Sequence, residues 1–283
     1  MFEAFTEKAP AKINLALRVL GRRPDGYHDL DSIVAFADVG DDLRFAPAQR
    51  FDVTAEGPFA KDLPVMADNI ITRTWEKLAA LAAARGAVLP PVAIHLTKNL
   101  PVASGIGGGS ANAAAAMRGF LKIAGIEEID AEILALALSL GADVPACLTG
   151  RACRMQGIGE RITPLAKLAP RRIVLVNPGV PVATASVFGK LGLSPGSSHG
   201  TGLADADDAA VWRNDLTAPA IAIAPVIGEV LDVLQRQPGV TGVRMSGSGA
   251  TCLGFIDGEI PAGLAEIAER RGWWLAPARL AFP

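Results

Sequence analysis

A glycine-rich stretch near the middle of the chain has the composition of a phosphate-binding loop. Residues 101–115 read PVASGIGGGSANAAA, with four glycines in five positions and good helix formers directly after them. Glycine suits positions that need a positive φ or a close approach of the backbone to a ligand. A helix that starts here would present unpaired N–H groups and the positive end of its dipole to the loop. The stretch therefore predicts a site for a polyphosphate.

The loop differs from two common phosphate motifs. No Gly-Lys-Ser or Gly-Lys-Thr closes it, so it is not a Walker-type loop. The spacing of a dinucleotide fold is not clearly present either, because Gly105-Ile106-Gly107 is followed by Gly108-Gly109-Ser110. A flexible turn before a small-residue helix is the structural alternative, since a glycine-rich loop alone is weak evidence. The pattern favours a phosphate loop of a third kind.

Two charged residues stand out as candidates for chemistry on a phosphoryl group. Residues 12–20 alternate as a strand does, with an apolar face opposite one that carries Lys12, Asn14 and Arg18. A solvated strand end is the structural alternative for Lys12. Asp143 is a lone carboxylate in the small and apolar segment 141–145. It could cap the turn that follows or act in catalysis, and spacing alone leaves both open.

The elements that would position these residues follow from hydrophobic periodicity and turn signals. The predicted strands are residues 12–20, 32–37, 42–45, 51–55, 92–97, 152–156, 172–177, 240–245, 251–255 and 273–280. The predicted helices are residues 68–85, with Asp68 as N-cap, 110–124, 130–140, 184–191, 219–235 and 261–271. Residues 193–206, rich in Ser, Gly and Asp, are predicted to form a mobile surface loop. A new succession of strands and helices begins near residue 165, and we therefore predict two domains, 1–164 and 165–283.

Length and composition exclude several classes of protein. A chain of 283 residues can bury one large or two ordinary cores. A net charge of −2 gives no excess of positive charge for binding nucleic acid or an anionic membrane. No uncharged apolar run reaches the ~20 residues that span a bilayer, and an acidic N-terminal stretch without an apolar core gives no signal for secretion. Three scattered cysteines fit reduced thiols, so we expect a cytoplasmic protein.

Three stretches, taken together and in this order, resemble the GHMP kinases. They are residues 10–15 (PAKINL), residues 101–114 and residues 246–251 (SGSGAT). Two further stretches resemble one branch of that family, which acts in the non-mevalonate isoprenoid pathway: residues 24–30 (PDGYHDL) and 141–145 (GADVP). The resemblance covers nearly the whole chain. Ala103, Ser104, Ile106 and Ala111 depart from the residues usual in the loop of that branch.

The resemblance implies an α+β, two-domain GHMP kinase fold. Domain 1–164 would be similar to ribosomal protein S5 domain 2 and would bind ATP, and the ferredoxin-like domain 165–283 would complete the substrate site. It also implies transfer of the ATP γ-phosphoryl group to the 2-hydroxyl of a methylerythritol unit that carries cytidine diphosphate. ATP would come with Mg²⁺, for which the chain offers no identifiable ligand. We expect a small-molecule substrate and no nucleic acid, membrane or protein partner.

The resemblance also implies a role for individual residues. Asp143 would be the base for the hydroxyl and Lys12 its charged neighbour, a pairing that the chemistry of phosphoryl transfer also favours. The expected ATP-binding residues are Lys98, Pro101, Val102, Ala103, Ser104, Gly105, Ile106, Gly107, Gly108, Gly109, Ser110 and Ala111. The expected substrate-binding residues are Asn14, Tyr27, His28, Thr184 and Phe188, with the aromatic rings at the cytosine. On the residues alone, Phe188 would be a core residue of its helix, and Lys98 could simply end its strand.

Two alternatives remain open at this point. Homoserine kinase, mevalonate kinase and diphosphomevalonate decarboxylase share the fold, but they bind no cytidine, so residues 25–28 argue against them. A non-catalytic nucleotide-binding protein is the second alternative. It would need neither Lys12 nor Asp143, and both are present.

Overall fold

The computed structural model describes residues 2–65, 68–165, 170–204 and 212–281. The strands within these ranges are β1 (Phe5–Arg22), β2 (His28–Pro47), β3 (Asp52–Glu56), β4 (Val92–Thr97), β5 (Cys153–Gly157), β6 (Arg161–Pro164), β7 (Arg171–Asn177), β8 (Val240–Met245), β9 (Cys252–Ile256) and β10 (Trp274–Ala281). The α-helices are α1 (Ile70–Ala84), α2 (Gly108–Ala124), α3 (Ala131–Leu140), α4 (Val144–Thr149), α5 (Thr184–Gly189), α6 (Thr217–Ile223), α7 (Val226–Gln235) and α8 (Ala262–Arg271). No helix among the described residues is long and apolar enough to cross a membrane.

Every predicted strand is present, but β1 begins at Phe5 rather than at residue 12, β6 was not predicted, and two predicted strands are merged. The predicted strands 32–37 and 42–45 are parts of a single strand, β2. The strand continues through Gly40, where an added Cβ would lie 2.8 Å from Cα of Pro10. A side chain at residue 40 would therefore collide with β1, so glycine lets the two strands lie close together.

The helices differ from the prediction at three places, the first of which is α4, a short helix that was not predicted. The predicted helix 219–235 is two helices, α6 and α7, that meet at Pro225. Proline lacks an N–H and disfavours helical backbone in the residue before it, which explains the break. Helix α1 begins at Ile70, and its N-cap is Asn69 rather than Asp68, because Asn69 Oδ1 accepts a hydrogen bond of 2.9 Å from the N–H of Ile71.

Contacts within the chain define two compact units. The first, unit 1, comprises residues 1–11, 40–102 and 108–150. In it, residues 42–47 of β2 pair antiparallel with β4, and β4 pairs parallel with β3. Helix α2 packs against α1 and α4. The rings of Phe45 and Phe120 meet edge to face in the core, with centroids 5.6 Å apart.

The second compact unit, unit 2, comprises residues 12–39, 103–107 and 151–283. In it, β10, β7, β9 and β8 form consecutive antiparallel pairs. Residues 30–34 of β2 pair with β5, and β5 pairs with β6. Helices α7 and α8 bury apolar side chains in its core, among them Ile227, Val230, Leu234 and Leu264. The predicted domain division after residue 164 stays a prediction.

Candidate active site

In unit 2, strand β1 contacts both glycine-rich segments. The N–H of Lys12 donates to the carbonyl of Ile106 over 2.9 Å. The N–H of Asn14 donates to Ser246 Oγ over 3.1 Å, and Ser246 Oγ in turn donates to the carbonyl of Gly105 over 3.0 Å. Ser246 therefore links β1 to the glycine-rich segment 101–111, here called the phosphate loop. This places the first part of the phosphate loop, residues 103–107, between β1 and residues 246–249.

The two glycine-rich segments approach each other at a distance that only glycine permits. Gly105 has φ +76°, and a Cβ there would lie 2.5 Å from the carbonyl oxygen of Ser246. Gly247 has φ +55°, and its Cβ would lie 2.6 Å from the carbonyl oxygen of Gly105. Both positions therefore need glycine for backbone conformation and for space. Ala103 also has a positive φ, of 50°, although it is not glycine.

Lys12 and Asn14 are buried in the middle of β1. Lys12 is 5% exposed, so the alternative of a solvated strand end is wrong. A Cβ at Gly107 would lie 2.9 Å from Lys12 Cβ, so the lysine stem lies directly against the phosphate loop. Asn14 is 4% exposed, and its Nδ2 donates to Ser32 Oγ over 2.8 Å. Asn14 Oδ1 is buried and has no hydrogen-bond partner among the described residues, so it can accept one from a ligand.

An aromatic group lies in the same unit. The His28 and Phe188 rings stack with centroids 4.7 Å apart, whereas Tyr27 is 60% exposed. Burial and then the charge of Arg22 lower the pKa of His28 below its ordinary value of 6.5. Thr184 Oγ1 and Ser248 Oγ share a hydrogen bond of 2.9 Å, which links α5 to the second glycine-rich segment. Phe188 is half-buried against the core, so it both packs in its helix and presents a ring to His28.

In unit 1, Lys98 forms a buried ion pair at the end of β4. Lys98 Nζ donates over 2.7 Å to Asp41 Oδ2 and over 2.7 Å to the carbonyl of Leu100. Asp41 Oδ1 accepts from the N–H groups of Asn99 and Leu100, each over 2.8 Å. Burial lowers the pKa of Lys98, and the charge of Asp41 opposes that shift. The pair thus fixes the segment that leads into the phosphate loop, and the expected ATP contact of Lys98 stays a prediction.

Unit 1 also contains the second part of the loop and the candidate base. Helix α2 begins at Gly108, and a Cβ at Gly141 would lie 3.8 Å from Ser110 Oγ. The start of α2 is therefore close to the turn that precedes Asp143. Asp143 is the N-cap residue of α4, but its side chain makes no capping hydrogen bond. The capping alternative therefore does not account for its carboxylate.

The expected site residues are thus distributed over both units. Unit 2 holds Lys12, Asn14, Tyr27, His28, Ala103, Ser104, Gly105, Ile106, Gly107, Thr184 and Phe188. Unit 1 holds Lys98, Pro101, Val102, Gly108, Gly109, Ser110, Ala111 and Asp143. Asp41 was missed by the sequence analysis, because nothing local marks its pairing with a lysine 57 positions later. Ser246 was recognised only as part of a motif, and its bond to Gly105 gives it a specific role.

Two models of the same family match the sequence. The model described as GHMP kinases N terminal domain matches residues 69–151, and the model described as GHMP kinases C terminal matches residues 203–270. Curated relatives match over the full length. Proteins from Paramagnetospirillum magneticum and Cereibacter sphaeroides, both named 4-diphosphocytidyl-2-C-methyl-D-erythritol kinase, are 46% and 48% identical. These alignments cover 98% and 99% of this chain and 99% and 100% of the relatives.

Solved structures give the same result. A crystal structure of 4-(cytidine 5′-diphospho)-2C-methyl-D-erythritol kinase has a TM-score of 0.76 at 32% identity, and the match covers 97% of this chain and 99% of that one. A homoserine kinase from Cytophaga hutchinsonii has a TM-score of 0.69 at 15% identity, covering 100% and 96%, and shows the fold alone. The expected two-domain α+β fold is thereby confirmed. The chain belongs to the GHMP kinases.

Proposed function

We propose that this protein transfers the γ-phosphoryl group of ATP to the 2-hydroxyl of 4-diphosphocytidyl-2-C-methyl-D-erythritol, in the non-mevalonate pathway to isoprenoid precursors. Relatives that carry the name of this kinase align over nearly the whole chain. The observation that carries the proposal is in unit 2, where β1 contacts the phosphate loop and continues to a turn that ends with Tyr27, directly before His28. Strand β1 thus connects the phosphate loop to an aromatic group that is suited to stacking on a nucleobase.

The phosphate loop would position the triphosphate. Phosphoryl transfer depends mainly on positioning and on stabilising the charge on the phosphoryl oxygens. Main-chain N–H groups between Gly105 and Ser110 can supply that stabilisation, assisted by the dipole at the start of α2. The stem of the buried Lys12 lies against Gly107, so its ammonium would face the transferring group with little competition from water.

Asp143 would accept the proton of the attacking hydroxyl. As the substrate oxygen forms its bond to the γ-phosphorus, the bond from that phosphorus to the β,γ-bridging oxygen breaks, and ADP leaves with the electron pair. The hydroxyl proton passes to the Asp143 carboxylate and from there to solvent. A carboxylate can serve as a base only if it remains ionised, and a positive charge close to a carboxylate favours that state.

Mg²⁺ would arrive with ATP. Among the described residues, no three His, Cys, Asp or Glu side chains group together as a metal site. The described residues fit an ion held mainly by phosphate oxygens and water, as Mg²⁺ commonly is in kinases, and we name no protein ligand. When bound, the ion neutralises charge on the β- and γ-phosphates.

The cytosine would be recognised by the aromatic group of unit 2. Tyr27 offers an exposed ring for stacking, and Phe188 a second ring beside His28. A neutral imidazole can accept or donate a hydrogen bond at a base edge, and the lowered pKa of His28 keeps it neutral. Asn14 and Thr184 would add polar contacts to the substrate.

We further propose that the enzyme works in the cytoplasm. Cys147, Cys153 and Cys252 are all buried thiols, as suits a reducing compartment. The proposal includes no protein partner, nucleic acid or membrane.

The test is ADP release by the purified protein with Mg-ATP and three separate acceptors. The acceptors are 4-diphosphocytidyl-2-C-methyl-D-erythritol, homoserine and mevalonate. We expect turnover with the cytidylated alcohol alone. Turnover with either other acceptor would reject the proposed substrate, and ATP binding without any turnover would support a non-catalytic protein.

A further inference from the structure

Residues 193–203 of unit 2, here called the strap, lie along the end of β1. The N–H of Arg22 donates to the carbonyl of Ser197 over 2.9 Å, and the N–H of Gly196 donates to the carbonyl of Arg22 over 2.7 Å. The N–H of His199 donates to the carbonyl of Leu20 over 2.8 Å. This part of the predicted mobile loop 193–206 is therefore held by main-chain hydrogen bonds, and residues 205 and 206 lie outside the described residues.

Glycines allow the strap to lie this close. A Cβ at Gly200 would lie 2.7 Å from the carbonyl oxygen of Val19, and a Cβ at Gly202 would lie 2.7 Å from Asp31 Oδ2. Real Cβ atoms are not found at such distances from oxygen. An added methyl group would therefore force the strap away from β1 at Gly200, and would force the strap and the Asp31 carboxylate apart at Gly202. The fit of the strap thus depends on the lack of side chains at these two positions.

An ion pair between the half-buried Arg154 and the buried Asp31 holds the last residue of the strap. Arg154 Nε and Nη2 donate to the two carboxylate oxygens of Asp31 over 2.7 and 2.6 Å. Asp31 Oδ2 also accepts from the N–H of Leu203 over 2.8 Å, and Arg154 Nη2 donates to the Leu203 carbonyl over 2.9 Å. Asp31 is fully buried, so both polar groups of Leu203 are bound to a fixed pair of charges.

The other end of the strap is joined to the turn before Tyr27. Arg22 Nη1 donates to the carbonyl of Leu193 over 3.0 Å, and its Nε donates to the carbonyl of Gly26 over 3.4 Å. Gly26 is the residue before Tyr27, and Asp31 lies three residues after His28 on β2. The strap is therefore anchored on both sides of the Tyr27-His28 pair.

We propose that the strap sets the position of Tyr27 and His28 and so determines specificity for the cytidine part of the substrate, with Arg22, Asp31 and Arg154 as positioning residues. The proposal rests on the proposed function, because it assumes that the aromatic group binds cytosine. A buried ion pair is seldom more stabilising than an apolar contact of similar volume, but its directed bonds fix one arrangement. That geometry suits a segment whose placement matters for recognition.

The first test is Gly202→Ala, which forces the strap and the Asp31 carboxylate apart without removing either charge of the ion pair. Gly263→Ala in α8 is the matched control, because a Cβ there would meet only Gln237 at an ordinary 3.6 Å. Two measurements are made on each protein: the KM values for both substrates, and the Kd of cytidine 5′-diphosphate by calorimetry. In Gly202→Ala we expect a KM for the cytidylated substrate and a Kd for cytidine diphosphate about tenfold higher, with the KM for ATP and kcat within about twofold.

The second test neutralises the ion pair as a whole. The double variant Asp31→Asn, Arg154→Gln avoids an isolated buried charge, and Arg154→Lys retains the charge but loses the two-pronged bond to Asp31. Both should raise the Kd of cytidine diphosphate. Arg118→Gln is the control, since Arg118 has the same side-chain exposure as Arg154, 27% against 26%, and also pairs with a carboxylate, Glu7.

Three results would overturn the proposal. One is an unchanged Kd for cytidine diphosphate in folded Gly202→Ala. Another is an equal rise in the KM for ATP, which would indicate a general structural effect. The third is a wild-type protein that binds no cytidine diphosphate, which removes the ligand for which the strap is proposed. A wild-type protein that binds cytidine diphosphate but phosphorylates nothing would contradict the proposed function and leave the strap proposal standing.

Discussion

Asp130 and Asp143 hold the same position relative to a helix but use their carboxylates differently. Asp130 Oδ1 accepts from the N–H groups of Glu132 and Ile133, over 3.1 and 3.0 Å, and so caps α3. Asp143 is the N-cap residue of α4, and its side chain makes no such bond. At the scale of single residues, the contrast shows that the Asp130 carboxylate caps its helix and that the Asp143 carboxylate does not.

The first prediction is that Asp143→Asn removes catalysis and retains binding. We expect kcat to fall by about 10²–10⁴, the usual contribution of a general base, while the Kd of ATP stays within about twofold. Steady-state kinetics and calorimetry measure the two quantities. Asp130→Ala is the control and should lower the melting temperature while leaving kcat unchanged. Near-normal turnover in Asp143→Asn would reject the assigned role.

The second prediction concerns the pH dependence of substrate binding. Because burial and Arg22 lower the pKa of His28 below 6.5, the ring stays neutral at neutral pH and becomes protonated only in more acidic solution. We therefore expect the KM for the cytidylated substrate to be constant above pH 6.5 and to rise as the pH falls through the lowered pKa. His28→Phe should abolish that rise. A wild-type KM that increases toward high pH would contradict the prediction.

At the scale of elements, the contact between the two glycine-rich segments carries the third prediction. Gly105→Ala forces a Cβ to 2.5 Å from the Ser246 carbonyl oxygen at a φ of +76°. We expect both the melting temperature and the affinity for ATP to fall, because the loop must move away from residues 246–249. Gly228→Ala in α7 is the control, since its Cβ would contact only Ile221 at 3.6 Å or more. Thermal unfolding with and without ATP measures both effects, and wild-type behaviour of Gly105→Ala would contradict the account.

The fourth prediction concerns the end of β4. Lys98→Met leaves Asp41 buried without its cation, and we expect a loss of about 3–5 kcal/mol in the free energy of unfolding, typical of a broken buried pair. Lys8→Met is the control, because the Lys8–Asp42 pair is largely exposed on the lysine side and should contribute little. Urea unfolding measures both. Equal stability losses in the two variants would show that burial of the Lys98–Asp41 pair has no special role.

Elements could be predicted where the local sequence decides them. Strand β4 matches its prediction at both ends, because alternation and flanking polar residues are local signals. Helix α4 was missed because six residues give too little periodicity to recognise. The prediction of one helix over residues 219–235 ignored Pro225, although proline was a visible signal. The strap and the Asp41–Lys98 pair depend on contacts between distant residues, which no local pattern encodes.

At the scale of the whole molecule, the fold alone does not determine the substrate. The homoserine kinase structure has a TM-score of 0.69 to this chain at only 15% identity. Specificity must therefore come from particular residues placed on a shared scaffold. In this chain we propose Tyr27 and His28, together with the strap, as those residues. The resemblance to a family identified the kinase fold, but only the structure located the segment that holds the aromatic pair.

The most direct test of the central claim is the ³¹P NMR spectrum of the product formed from Mg-ATP and 4-diphosphocytidyl-2-C-methyl-D-erythritol. Carbon 2 of that substrate carries a methyl group and no hydrogen. Phosphorylation of its hydroxyl should give a new phosphomonoester signal without three-bond coupling to hydrogen, alongside an intact diphosphate. A signal split by one or two such hydrogens would place the phosphate on the 3- or 1-hydroxyl. Either that splitting or the absence of a new phosphomonoester would contradict the proposed reaction.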